Sequence, residues 1–302
     1  MKLSRAMAVC LALLLSLGVL PAQARQVTDE MGRRVEVPAE PKRFIGLTPS
    51  LTEVLFALGL GKRVVGGTTW ADYPPAARDL PRVGPYVSPN LERILSLKPD
   101  LVLANKEGNP PWVVERLSAL GVPVYVTVPV VPKDLPRSLE RLGDLLGASQ
   151  AGRRLAGQLK IEMAEVDQRL RGAKPRPTLL VIGSRPLVSV GRPTMNHRLL
   201  TMAGGRNIAE GINQRWPRLN LEYIIEAKPQ VIILSTMERG QNLERDLAYW
   251  RALPGVGDRP GVRVEWVSSD LIDRPGPRLG QGLKDLAKLI HPERFAKEAS
   301  RP

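Results

Sequence analysis

Apolar residues follow two alternating rhythms along this chain. Runs of strand length, Phe44-Ile-Gly-Leu47, Val64-Val65, Leu101-Val-Leu103 and Val122 to Val128, are separated by segments whose apolar positions return every third or fourth residue: Leu51 to Leu58, a stretch from Asn90, and Trp112 to Leu120. The alternation predicts a parallel sheet covered by helices. Gly59 and Gly121 stand where two of the helices should stop, and Ser50-Leu-Thr-Glu53 has the spacing of a capping box for the first. Before these elements, Arg34-Val-Glu-Val37 alternates polar and apolar among prolines and predicts a strand or hairpin.

The rhythm changes between Leu135 and Leu170. Leu135, Leu139, Leu142 and Leu146 form one helical face, Gly147 interrupts, and Leu155, Leu159, Met163, Val166 and Leu170 form a second, with Ser149 as its expected cap. A helix over 149–171 would be about 34 Å long. Such a rod between two α/β units limits how far they can move. Strand and helix patterns resume with Thr178-Leu-Leu-Val-Ile182, Leu187-Val-Ser-Val190, a helix from Asn196 to Ala203, another from Leu243 to Trp250, Val262 to Val267, and a last helix from Leu279 to Ile290. The predicted organisation is a leader over 1–24, an α/β lobe over 25–133, a helical segment over 134–174 and a second α/β lobe over 175–302.

One phrase is written twice. Asn90-Leu-Glu-Arg-Ile-Leu-Ser-Leu-Lys-Pro-Asp-Leu-Val-Leu-Ala104 and Asn220-Leu-Glu-Tyr-Ile-Ile-Glu-Ala-Lys-Pro-Gln-Val-Ile-Ile-Leu234 share six of fifteen positions at a separation of 130 residues. Each reads as an Asn cap, a short helix, a Lys-Pro stop and a buried strand. The separation is too long for a solenoid. It predicts two related lobes, and a cleft between lobes is a common ligand site.

Composition narrows the class. Lys2 and Arg5, an apolar core from Ala6 to Leu20 and Ala22-Gln-Ala24 form a secretory signal with cleavage after Ala24, which predicts an exported, periplasmic protein. A membrane-anchored form is the alternative. Cys10, the only cysteine, lies inside that signal, so the mature chain must be held by packing without disulfides. The formal charge of +14 falls to +12 once Lys2 and Arg5 are removed. Its basic residues are scattered beside acids and match no nucleic-acid-binding motif, so no nucleic-acid partner is expected.

No catalytic set is visible. No Gly-x-Ser-x-Gly turn, phosphate-binding loop or dinucleotide fingerprint occurs, and two histidines, His197 and His291, do not make a metal cluster. His291 reads as a surface or capping residue, and His197 as a residue that could face a cleft. A binding protein is expected, with no metal site, no intrinsic cofactor and no enzyme activity. An exported enzyme or scaffold is the reading from another class. Of thirteen aromatic residues, Trp70, Tyr73, Tyr86 and Trp216 fall in loops where a cleft would open, suited to stacking on a flat ligand, whereas Trp112, Trp250 and Trp266 are expected in the core. Glu92 and Glu222 occupy the same position of the two phrases and could engage two basic sockets of a dimeric partner. A carboxylate in a first helical turn is also favoured by the helix dipole.

Together Leu47-Thr-Pro-Ser-Leu-Thr-Glu53, Asp72-Tyr-Pro-Pro75, Asn90-Leu-Glu-Arg-Ile94, Lys98-Pro-Asp-Leu-Val102, Gly204-Gly-Arg-Asn-Ile208 and Pro275-Gly-Pro-Arg278 resemble the substrate-binding receptors of bacterial ABC importers whose lobes are joined by a single backbone helix. The resemblance implies two Rossmann-like lobes with a ligand cleft between them. It implies a monomer that delivers cobalamin, a ferric siderophore or haem to a permease dimer with its ATPase subunits, docking through Glu92 and Glu222. Asp72 to Glu92 and Arg215-Trp-Pro217 look most like the cobalamin receptors. That implies Trp70, Tyr73, Tyr86 and Trp216 around a corrin, with Asp270 near its amide edge. Leu187 stands where the class would place an aromatic residue. An anionic siderophore would instead draw on Arg185 and Arg192, and haem on His197 or Tyr86.

Overall fold

The computed structural model describes residues 24–129, 131–235 and 242–296, so the expected signal peptide lies, apart from Ala24, outside the described residues. A hairpin of β1 (Ala24–Thr28) and β2 (Arg34–Pro38) opens the chain, as the alternation at Arg34 to Val37 predicts. The first lobe follows as β3 (Phe44–Gly46), α1 (Pro49–Ala57), β4 (Val64–Gly67), α2 (Leu91–Ser96), β5 (Leu101–Asn105), α3 (Pro111–Ala119) and β6 (Val124–Thr127). Its sheet is parallel, in the order β4-β3-β5-β6. Helices α4 (Leu135–Leu145) and α5 (Ser149–Arg169) lead to the second lobe.

That lobe comprises β7 (Arg176–Ser184), β8 (Leu187–Ser189), α6 (Met195–Met202), β9 (Gly205–Asn207), α7 (Leu221–Ala227), β10 (Val231–Ser235), α8 (Leu243–Ala252), β11 (Arg263–Val267), α9 (Ser269–Ile272) and α10 (Leu279–Ile290). Its sheet runs β11-β10-β7-β8, with β9 also on β7; only β8 is antiparallel. The two-lobed α/β arrangement joined by a long helix therefore stands.

The repeated phrase gives the same local structure twice. Asn90 Oδ1 accepts the Arg93 N–H at 2.8 Å and Asn220 Oδ1 accepts the Tyr223 N–H at 2.9 Å. Caps of this kind stabilise a helix by about 1 kcal/mol. Lys98 and Lys228, each with φ +47°, are the two non-glycine residues in the left-handed region among those described. The following proline disfavours helical geometry at each lysine, and the turn delivers the chain into β5 or β10.

Helix α5 has 21 residues, about 31 Å, and packs against α4 and α10. Ser149 is not its cap; Ala148 precedes the helix, without a side-chain capping bond, and donates its N–H to Gly143 O at 2.7 Å. The corner is set by backbone proximity, since a Cβ on Gly152 would meet the Gly143 Cα at 2.9 Å. Leu139, Leu142 and Leu159 share one apolar core with Phe44 and Leu55 of the first lobe and Leu180, Ile233 and Leu283 of the second. Both lobes thus rest on one continuous base. Trp250 is buried as expected, whereas Trp112 and Trp266 are exposed. Trp112 lies on the outer side of the first turn of α3, and Trp266 on β11, the edge strand of its sheet among the described residues.

Candidate functional site

Beyond β4, the segment 68–86 forms one wall of the lobe interface. Arg82 pins it, donating from Nη1 to the carbonyls of Thr68 (3.1 Å) and Ala71 (2.7 Å) and from Nη2 to that of Arg78 (2.9 Å). The segment carries Trp70 and Tyr73, both exposed, and the half-buried Tyr86. Asn109 Nδ2 ties Tyr86 O (2.9 Å) to Leu47 O (2.8 Å), which fixes this loop to the end of the sheet.

The second lobe supplies the other wall. Residues 215–219 run alongside 187–191: Leu219 N–H donates to Leu187 O (3.1 Å), Ser189 N–H to Pro217 O (3.0 Å) and Gly191 N–H to Arg215 O (2.9 Å). A Cβ at Gly191 would stand 1.7 Å from Gln214 O, so only glycine allows this approach. Trp216 is exposed on this wall, and Leu187 is half-buried against the core of the second lobe. Arg185, at the β7–β8 turn, and Arg192, just past Gly191, are exposed and form no ion pair among the described residues.

Side chains next to these aromatic residues bridge the lobes. Glu53 receives both Nε and Nη2 of Arg278 at 2.8 Å, Asp72 pairs with Arg274 at 3.0 Å, and Glu107 with Arg215 at 2.8 Å. All three acids belong to the first lobe and all three bases to the second. Arg278 also lies 3.6 Å from the Tyr73 ring centroid, a cation–π contact. Donating to Glu53 holds the pKa of the Arg278 guanidinium above its ordinary value despite burial. Trp70, Tyr73 and Trp216 are therefore all within two residues of a cross-lobe pair, and a Cβ on Gly108, beside Glu107, would touch the Tyr86 ring at 3.8 Å.

Ser50 to Glu53 do not form the expected capping box. Thr48 is the N-cap, its Oγ1 accepting the Leu51 N–H at 3.3 Å, and Glu53 reaches Arg278 instead. Local spacing alone contains no trace of a partner 225 positions away. Among the remaining predicted residues, Asp270 lies on α9 and pairs with Arg274 at 2.6 Å. His197 is buried, with the Asn207 amide 3.1 Å from Nδ1, and burial lowers its pKa. His291 caps α10 as expected but is buried, not on the surface, its Nε2 3.0 Å from Gly204 O. Glu92 and Glu222 are exposed in the first turns of α2 and α7. No group of three or more metal-ligating side chains occurs among the described residues.

Asp273, just past α9, is a feature that sequence reasoning missed. It accepts bonds from Asn196 Nδ2 and Ser235 Oγ, and burial pushes its carboxyl from 3.8 up to about 6. As pH rises, the unfolded side chain ionises first, so Asp273 lowers stability progressively through that window. Above about pH 6 the cost is about 3 kcal/mol. Asp273→Asn, which can keep both neighbours bonded, is expected to raise the urea midpoint at pH 7.5. That advantage should fade to nothing below pH 4; a difference independent of pH would refute the buried-charge account.

The periplasmic binding protein family model matches residues 45–252. A vitamin B12-binding protein of Photorhabdus laumondii is 32% identical over 255 residues, covering 84% of this chain and 89% of the relative. The haem-binding protein RhuT of Roseiflexus, in its apo form, aligns with a TM-score of 0.74 at 29% identity, covering 84% of this chain and 99% of that one. The vitamin B12-binding protein BtuF of Vibrio cholerae has the same fold, with a TM-score of 0.73 at 24% identity over 85% of this chain and 98% of its own. This chain belongs to the periplasmic binding protein family, whose members bind solutes and are not enzymes. Among the described residues no helix is long and apolar enough to cross a membrane.

Proposed function

We propose that this protein is the periplasmic receptor of an ABC importer that takes up cobalamin or a related corrinoid between its lobes. The reading rests chiefly on three exposed aromatic side chains, Trp70, Tyr73 and Trp216, in loops beside the cross-lobe pairs, with Tyr86 next to them. A flat macrocycle offers stacking faces to such residues. Relatives named for vitamin B12 binding support the same cargo. Asp270 would lie near the amide edge of a corrin. Glu92 and Glu222 would dock a monomeric receptor, exported by cleavage after Ala24, onto a permease dimer carrying its ATPase subunits.

A second reading, haem or a ferric siderophore, is favoured by a different observation. Arg215, Arg274 and Arg278 of the second lobe, with Arg185 and Arg192 nearby, could receive carboxylates from an anionic cargo. The buried position of His197 gives haem iron no support there; Tyr86 remains the aromatic alternative.

Isothermal titration of the mature protein with cyanocobalamin, haem and ferric siderophores under one set of conditions tests the assignment. Tight one-to-one binding of cyanocobalamin alone is the expected result. A signal only from haem or a siderophore would transfer the function to the second reading.

A further inference from the structure

Four cationic side chains converge far from the lobe interface. The ends of β7, β10 and β11 at which those strands begin, with the turn before each of β10 and β11, enclose a pocket of about 580 Å³ lined by Arg176, Lys228, Gln230, Arg259 and Arg263. Ser235, whose hydroxyl bonds Asp273 next to the cross-lobe Arg274, lies at the other end of β10, so this pocket is separate from the proposed cargo site.

Backbone carbonyls fix the guanidinium groups. Arg176 Nη1 (2.6 Å) and Arg263 Nη2 (2.8 Å) both donate to Ile290 O, so two like charges share one neutral acceptor. Arg259 donates from Nη2 to Pro229 O and from Nε to Val256 O. The left-handed turn at Lys228, whose side chain is exposed, adds a fourth charge at the rim. Among the described residues, only Arg176 of these four forms an ion pair, with Glu293 at 2.9 Å. Burial, and then the neighbouring Arg176, lower the Arg263 pKa, as expected for cations crowded together without enough counter-charge.

Prolines 229 and 260 and the positive φ of Gly261 define the turns that hold Arg259 and Arg263. The donors are therefore positioned before any ligand arrives, which lowers the ordering cost of binding. Guanidinium forks match the oxygens of a phosphate, and a compact dianion relieves repulsion that one carboxylate cannot. We infer that this pocket binds a phosphate or phosphate monoester group, carried either by a soluble molecule or by an anionic lipid headgroup.

The test uses the full mature protein. Inorganic phosphate is titrated at constant ionic strength, with chloride as the control anion. Co-sedimentation is measured with phosphatidic acid/phosphatidylcholine vesicles, whose anionic headgroup is a phosphate monoester, and with phosphatidylcholine vesicles alone. Arg259→Gln and Lys228→Gln are the site variants, and Arg192→Gln controls for binding at the lobe interface. Saturable phosphate binding, weakened roughly tenfold or more by the site variants but not by Arg192→Gln, supports a soluble ligand. Vesicle binding with the same variant pattern, and no phosphate signal, supports a headgroup. Binding of neither probe, or binding indifferent to Arg259→Gln and Lys228→Gln in correctly folded protein, overturns the inference.

Discussion

Alanine at both Glu92 and Glu222 is expected to abolish stimulation of the permease ATPase by the cargo-loaded receptor while leaving cargo affinity unchanged. The two carboxylates are exposed, each in the first turn of a helix capped by the same Asn, and the repeat makes them one per lobe. Removing a first-turn acid costs the helix only about 0.3 to 1 kcal/mol, so folding should survive. A charge pair across a protein interface can contribute about 1.5 to 7 kcal/mol. Losing two at the lower end would weaken docking by roughly a hundredfold. Single variants should retain partial stimulation, and Glu226→Ala, exposed on the same α7 helix, should behave as wild type. Undiminished ATPase stimulation by the double variant would sink the docking assignment, whatever the cargo proves to be.

What was legible in the sequence was what short-range physics determines. Asn90 and Asn220 announce helix starts, and Lys-Pro announces their ends, because a cap bonds three residues ahead and a proline restricts its immediate predecessor. Alternation of buried strands and helices carried the lobe architecture in the same way. Glu53 shows where such reasoning fails. Its spacing from Ser50 fits a capping box, but Thr48 already supplies the cap, and the carboxylate is needed by an arginine that folding brings from the far end of the chain. Trp112 and Trp266 fail for a related reason: apolar character favours burial, but neighbours on the same helix and edge strand, Val113 and Val264 among them, take the places in the core and leave both tryptophans on the outside. Loop aromatics could be named from the sequence, whereas the ion pairs beside them required the folded chain.

Those ion pairs set the second large expectation, that Arg278→Ala loosens the closed arrangement of the lobes. Glu53 is only 3% exposed, so the variant leaves a carboxylate buried without its counter-charge. Breaking one side of a buried pair typically costs about 3 to 5 kcal/mol. The penalty falls on the closed arrangement, because separating the lobes returns Glu53 to water. A bias of that size shifts a two-state equilibrium by more than roughly a hundredfold. Small-angle scattering of the cargo-free variant should report a larger radius of gyration, and stopped-flow mixing should show faster cargo association. Glu53→Gln combined with Arg278→Gln, which leaves no buried charge, should restore most of the closed population. Identical scattering and association rates in Arg278→Ala and wild type would rule out a latch at this pair. The more exposed Glu107–Arg215 pair should respond to ionic strength much more than the Glu53–Arg278 pair does. The same variant also separates the two cargo readings. If a corrinoid held by stacking displaces the pair, its equilibrium affinity should hold or improve when Arg278 is lost. An anionic cargo would use that guanidinium once it leaves Glu53, and its affinity should fall.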